Sequence, residues 1–509
     1  MIIIYALLFA LSVTVGRHIV FSGDVYSKVT ETYLTPVSFS DILFFAVVAA
    51  SVALALYFAG TRIRPGKQER EPRRFFLVVL ICLALAWTPC LLAMYPCNLL
   101  VDSLQSIGQM LEHGHPTMNH HPIFYTILVG VFMKAGNILF GSNEAGAVLY
   151  MTVQALFLMV CVAGELSFLY RKGVPLFLIV PAVLFFLLLP VFPTYAGTMW
   201  KDIFYSCMLL LLSIQLLKMS SGEAGRGTWL LFVFSSVGVM MMRNNGMWVY
   251  VATVAVTIFT LSGSRVRFLV VSVCCLVVYL GATKLCTRLW NIDDDFAESV
   301  GIPLRQIGYT LSQGGEFSEE DREYLYRLVP EDVWNYAYRP VLVDPLKWNP
   351  RFDGQLLEED KERFLRTWLH GAIRNPRLYL EGYVLAVFGF FVPGVQHTYG
   401  YMELTHRSMG FGMQYRDLVE ELTGFPMLNF INEHQVYIGS GTLLWWCLLG
   451  FVLSRNRRRT LPVFLPAVFN WATVMIATPV SFSLRYVFIL ALGLPLYLAM
   501  PWISRDTPS

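Results

Sequence analysis

The 509 residues are 56% hydrophobic and 15% aromatic but only 14% charged, and the mean hydropathy is +0.56. A soluble domain carries about 25% charged residues, so this chain lacks the polar surface to cover a water-soluble particle and reads as an integral membrane protein. Its formal net charge of +3 is small, and the basic residues sit in short loops, a membrane-topology signal that excludes a nucleic-acid partner as the first reading.

Taken in order, the opening MIIIYALLFALSVTVG has no basic leader and no small-residue cleavage site, so it is expected to be a retained span. Spans are predicted near 1–20, 40–60, 75–94, 145–169, 175–190, 202–218, 228–242, 246–262, 268–286, 436–453, 461–478 and 484–502. The basic loop RIRPGKQEREPRR (62–74) marks the cytoplasmic side. Two apolar stretches, 122–140 and 378–392, are short and carry polar residues. If neither crosses, Arg171/Lys172, Lys218/Arg226, Arg265/Arg267 and the run Arg455/Arg457/Arg458/Arg459 all fall inside. If both cross, the first three pairs move outside, against the positive-inside tendency. Both stretches are therefore read as helices at the outer face. The expected fold is an all-α polytopic membrane protein with about twelve transmembrane helices, outer-face juxtamembrane helices and a small, mostly helical exoplasmic cap.

The chain divides accordingly. Residues 1–74 hold two additional N-terminal spans and the basic loop, and 75–286 form the transmembrane core with the outer loops of interest. The exoplasmic region covers 287–435, with a membrane-edge helix near 378–392, and 436–509 supply three C-terminal spans. The outer region includes the acidic run DDD at 293–295 and the helix-like FSEEDREYLYRLVPEDVW. Of nine cysteines most lie in apolar runs as small buried side chains. Cys97 and Cys286, near outer ends, leave a disulfide open.

Ionisable chemistry concentrates in DSLQSIGQMLEHGHPTMNHHPIFY (102–125), directly after a span. Asp102 with Gln105 three residues on fits a helix-capping box, yet a lone carboxylate just outside the hydrocarbon is also a functional candidate. His113, His115, His120 and His121 offer metal spacing, phosphate or sugar contact, or interfacial packing. In PVFPTYAGTMWKDIFYS (190–206), Lys201 could snorkel and Asp202 could cap a helix. The same parity places both on Asp102's face. MRNNGMW (242–248) reads as a tight turn whose Arg243 needs an anion or carbonyl partner. In TPVSFSLRYVF (478–488) Arg485, beside Tyr486, enters the last span with no acidic neighbour in sequence. Arg243 and Arg485 could together clamp a lipid-linked phosphate.

These landmarks in this order resemble the glycosyltransferase-C superfamily, which includes protein O-mannosyltransferases, aminoarabinose transferases and oligosaccharyltransferases. Asp102, then GQMLEHGHP, then HHPIFYTILVG stand where members carry a catalytic Asp, juxtamembrane helices and a Pro-containing stretch. Asp202 stands for the carboxylate of a second outer loop, and the match covers roughly residues 75–265. HHP, KD and RNNG occur in the same order in an uncharacterised bacterial group within that superfamily. Two extra spans before residue 75 and the lack of a WWD-type signature depart from the pattern.

The resemblance implies transfer of a sugar from a polyprenyl-phosphate or polyprenyl-diphosphate donor to a glycan, lipid or protein acceptor at the outer face of a membrane, by expectation the bacterial inner membrane. Asp102 would be the general base or would position the acceptor hydroxyl. Asp202 would orient the acceptor or a metal. Lys201, Arg243, Arg485, Tyr486, His120, His121 and Gln105 would contact substrate. No cofactor is certain; a divalent metal ion, if used, would fall to Asp102, Asp202 and His120. The rival readings are a flippase or transporter of lipid-linked sugars and an O-antigen-type polysaccharide polymerase or ligase.

Overall fold

The computed structural model describes residues 1–63, 70–261, 263, 265–292, 296–399 and 410–503. The DDD run at 293–295, parts of the loops 62–74 and 394–435, and residues 504–509 lie outside the described residues. The molecule is almost entirely helical, apart from a ribbon in which β1 (Ile19–Val20) pairs antiparallel with β2 (Tyr33–Leu34). The chain opens with α1 (Ile2–His18), α2 (Phe39–Arg62), α3 (Pro72–Leu92) and the short α4 (Val101–Glu112). Next come α5 (Ile123–Phe140), α6 (Asn143–Arg171), α7 (Leu176–Leu188) and α8 (Val191–Ala196). Four helices complete the first half: α9 (Lys201–Ser220), α10 (Arg226–Met242), α11 (Gly246–Thr260) and α12 (Arg265–Trp290).

The polar region contributes α13 (Gly301–Ser312), α14 (Glu319–Leu328), α15 (Glu331–Ala337), α16 (Asp344–Lys347), α17 (Gly354–Glu359), α18 (Lys361–Arg374) and α19 (Pro376–Val387). The chain closes with α20 (Leu418–Thr423), α21 (Met427–Glu433), α22 (Ser440–Leu453), α23 (Arg457–Ile476), α24 (Phe488–Leu492) and α25 (Leu494–Ile503). Among the described residues, eight helical segments are long and apolar enough to cross a membrane: α2, α3, α5, α6, α9, α12, α23 and the broken segment Leu484–Ile503. Helices α1, α7, α10, α11 and α22 are shorter but apolar. The chain is a multi-pass membrane protein. Since α5 is itself of spanning length, its placement at the outer face rests on charge parity alone. The stretch near 378–392 is α19, twelve residues and so only about 18 Å long.

Local chemistry explains the boundaries nearest the site. Gly141, at φ 69°, closes α5 in the left-handed region where glycine carries no steric penalty, and the Ser142 hydroxyl caps α6 by accepting from Ala145 N–H. The two helices can cross closely because both carry glycine there. A Cβ on Gly136 would stand 2.1 Å from Gly146 N, the small-residue contact that lets membrane helices approach. Helix α9 lies at the centre of the bundle, buried along nearly its whole length.

Basic residues from separate loops meet at one end of the bundle. Arg70 N–H donates to Arg171 O (3.3 Å), Arg70 Nη1 to Val174 O (3.1 Å) and Arg455 Nη2 to Ile63 O (2.8 Å). Lys172 Nζ reaches Glu223 Oε2 at 2.6 Å. Ile63 and Arg70, the end of α6 and the α22–α23 connection therefore lie together.

The polar region between α12 and α19 has a core of its own around Leu304, Leu325, Leu328, Val333 and Phe364. Arg305 is one of the residues that join it to the bundle. Arg305 is fully buried and donates to the carbonyls of Ala386 (3.0 Å), Gly301 (3.3 Å), Val341 (3.3 Å) and Thr478, and to Ser481 Oγ (3.4 Å). It thereby holds the irregular strand 478–483 that carries Arg485 into the site. Arg305→Met is expected to destabilise the protein by about 3–5 kcal/mol, because several buried carbonyls lose their donor together. Thermal unfolding in detergent checks this, and Arg305→Lys, which offers fewer donors in a different geometry, is expected to recover only part of the loss.

Candidate functional site

The site is built on a backbone stitch between two helix starts. Asn98 N–H donates to Gly197 O (2.9 Å), Met199 N–H donates to Asn98 O (3.0 Å), and Asn98 Nδ2 donates to Thr198 Oγ1 (3.0 Å). This bridge lies three residues before both α4 and α9, so the helices begin side by side with Asp102 and Asp202 each in a first turn. Carboxylates are favoured there by the helix dipole. Ser103 Oγ (2.6 Å) and Tyr125 OH (3.2 Å) both donate to Met199 O and lock α4 and α5 onto the stitch. Behind it, Gln154 Nε2 donates to Thr198 O (2.6 Å) and Ala196 O (3.0 Å), fixing the 195–198 turn from the middle of α6.

Three cations converge on the two carboxylates. Lys201 Nζ lies 3.6 Å and Arg485 Nη1 3.3 Å from Asp102 Oδ2, and Arg243 Nη1 lies 3.0 Å from Asp202 Oδ1. Asp202 is fully buried, whereas the Asp102 side chain keeps 23% of its surface and the cations 13–18%. Burial pushes the Asp102 carboxyl up, but Arg485 and then Lys201 outweigh it and hold it well below the usual carboxylate range. Aromatic faces support the guanidinium groups. Arg485 stacks over Trp200 (5.0 Å) and Tyr486 (4.8 Å) and donates from Nη2 to Tyr486 Oη at 2.9 Å. Arg243 lies over Tyr486 (5.0 Å) and Tyr205 (5.6 Å). It reaches the cluster from the α10–α11 turn, where Gly246 is required: a Cβ there would stand 2.0 Å from Val239 O.

His121 orders this cluster. Its Nδ1 accepts from Lys201 Nζ (2.9 Å) and its Nε2–H donates to Gln105 Oε1 (2.8 Å), an arrangement that needs the neutral ring. Burial, followed by the Lys201 charge, lowers its pKa to about 2. His120 packs edge-on against His121, with ring centres 4.4 Å apart, and against Trp348 at 5.7 Å. Its Nδ1 lies 3.2 Å from Glu298 Oε1, and Glu298 also pairs with Lys347 of α16.

Burial raises the Glu298 carboxyl, but the His120 hydrogen bond and Lys347 bring it from 4.5 to about 2. A carboxyl depressed by folding stabilises the native state above its unfolded pKa and loses that contribution as pH falls through the folded one. The difference in unfolding temperature between wild type and Glu298→Gln should therefore be full above about pH 4.5 and shrink as the pH falls towards 2. A difference independent of pH over that window would refute the pairing.

The structure gathers Asp102, Gln105, His120, His121, Lys201, Asp202, Arg243, Arg485 and Tyr486 at one end of the bundle. Several expectations need correction. Asp102 is not the helix cap: Leu100 holds that position, and Ser103 Oγ accepts from its N–H at 3.4 Å, so the Asp102 carboxylate is free to face the cations. Asp202 is likewise inside the first turn after the cap Trp200, and Lys201 does not snorkel but points into the cluster. The histidines separate. His115 stacks on Trp290 (5.7 Å) and bonds Pro116 O, and His113 is exposed at the end of α4. Among the described residues no three His, Cys, Asp or Glu side chains gather to hold a metal, and Asp102 and Asp202 face cations instead. Cys97 and Cys286 are free thiols.

Gln154, Glu298, Arg305 and Lys347 were missed by sequence reasoning. The first sits in an apolar helix like any tolerated polar residue, and the other three lie in polar segments with no distinguishing spacing.

No curated protein and no solved structure matches the chain. A family model does match, over residues 114–508, more than half of the chain. The matched segment includes Lys201, Asp202, Arg243 and Arg485 and begins after Asp102. The chain belongs to the DUF6020 family, a family of unknown function.

Proposed function

We propose that this protein is a membrane glycosyltransferase that moves a sugar from a polyprenyl-phosphate or polyprenyl-diphosphate donor to a glycan, lipid or protein acceptor. It would act at the outer face of the membrane that holds it, by expectation the bacterial inner membrane. The observation that carries this reading is the charge cluster: Lys201, Arg243 and Arg485 converge on Asp102 and Asp202 and leave an excess positive charge at the apolar bundle's end. An anion delivered from the lipid phase would complete it. Near the α10–α11 turn, a cleft of about 100 Å³ is lined by Phe124, Met240, Met241 and Tyr279 together with Asn119 and Asn244. Its apolar side chains suit a segment of an isoprenoid chain and its amides a headgroup.

In this scheme the acceptor hydroxyl attacks the anomeric carbon, Asp102 takes its proton, and the bond from that carbon to the phosphate oxygen breaks. The proton then passes to solvent. Lys201, Arg243 and Arg485 stabilise the phosphate as negative charge builds on it, and Tyr486, Gln105, His120 and His121 fix the positions of the charged groups. No step needs a metal.

The test is to incubate the purified protein with radiolabelled polyprenyl-phosphate sugars and membrane extracts holding acceptors. Label leaving the lipid for a second product supports the proposal. Label that stays on the lipid with every donor tried counts against it.

A further inference from the structure

The three cations of the cluster do not point into solvent; each contacts a carboxylate through a contact longer than the 2.7–2.9 Å of a good charge-assisted bond. The separations are 3.0, 3.3 and 3.6 Å, and the fully buried Asp202 oxygens have no well-directed hydrogen bond beyond the ion pair. Loose pairs of this kind retain much of the desolvation cost of burying charge without its full return. Meanwhile the cations are held rigidly from the other side. His121 grips Lys201, Tyr486 Oη and two aromatic faces grip Arg485, and the Tyr486 carbonyl (3.3 Å) with two rings grips Arg243. Lys201 and Arg485 are held more closely by His121 and Tyr486 (2.9 Å each) than by Asp102, which is the exchangeable partner, whereas Arg243 stays with the buried Asp202.

We infer that Asp102 holds the place of the donor's phosphate on Lys201 and Arg485, so that donor binding exchanges carboxylate for phosphate. The inference rests on the donor reading above and adds its regulation. With its cations drawn to phosphate, Asp102 loses the charges that keep it a weak base, so base strength arises only when a donor is seated. Acceptor activation is thereby tied to donor binding, and water is a poorer competitor. The neighbouring Glu298 differs: its partners are His120 and Lys347, outside the exchanged set.

The exchange predicts a gain of affinity from removing a carboxylate. Polyprenyl monophosphate in detergent micelles, titrated by calorimetry, should bind Asp102→Asn about tenfold more tightly than wild type, since the competing half of a charge pair is gone. Asp102→Ser should act in the same direction and serves if Asp102→Asn does not fold, which gel filtration and a thermal melt decide. Glu298→Gln controls for the simple loss of a nearby negative charge and should change affinity less than about threefold. Equal or weaker binding by the folded Asp102 variant, or equal tightening by Glu298→Gln, overturns the exchange while leaving the donor site standing. If wild type and all variants fail to bind the lipid phosphate, the donor reading itself falls.

Discussion

Asp102→Asn will lower sugar transfer by roughly 10²–10⁴-fold, the range over which a positioned general base acts, and will leave the protein folded. The substitution keeps the shape of the side chain and its place in the first turn of α4, where Leu100 and Ser103, not Asp102, make the cap. What it removes is the carboxylate between Lys201 and Arg485. The informative result is the combination of outcomes: donor binding retained or tightened, transfer lost. Transfer within threefold of wild type would remove Asp102 from the chemistry, whatever its contacts.

A large stability effect, comparable with that of Arg305→Met, is expected at Arg243. Asp202 is fully buried and Arg243 is its ion-pair partner at 3.0 Å, so Arg243→Ala strands a charge in the protein interior. Breaking a buried pair from one side costs about 3–5 kcal/mol, enough to unfold many marginal proteins. The two halves are not equivalent. Asp202→Asn leaves Arg243 with the Tyr486 carbonyl and two aromatic faces, and should cost clearly less. Asp202→Asn combined with Arg243→Gln should recover most of the loss suffered by Arg243→Ala. Thermal unfolding of the four proteins in one detergent decides it. If Arg243→Ala melts like wild type, the pair does not form as described.

The fold was legible in the chain where the bilayer dictates it. Long apolar runs must be helices because no other open structure satisfies its backbone in hydrocarbon, and the short basic loops sort their ends onto one side. That sorting alone placed Asp102, Lys201, Asp202, Arg243 and Arg485 on a common face before any contact was known. The pairings could not be read in the same way. Arg485 has no acidic neighbour in sequence and meets Asp102 through the segment 478–483, which Arg305 and backbone hydrogen bonds to Val341 and Val343 hold in place. The Asn98–Thr198 stitch joins two loops with no motif in either.

The Asp102 capping box misled for a local reason. The spacing to Gln105 fits the pattern, but the helix begins earlier, and Gln105 bonds His121 instead. The four histidines left metal, phosphate or sugar contact, and packing open, because spacing says nothing of where side chains converge; His113 and His115 lie away from His121, which reaches the cluster.

The most direct measurement follows a labelled sugar on polyprenyl phosphate in sealed proteoliposomes carrying wild type or Arg485→Gln. Glycosyl transfer at this cluster predicts that label leaves the lipid for an acceptor with wild type and stays on it with Arg485→Gln. Label that crosses the bilayer still attached to its lipid, with no transferred product, would contradict it and identify a carrier of lipid-linked sugars instead.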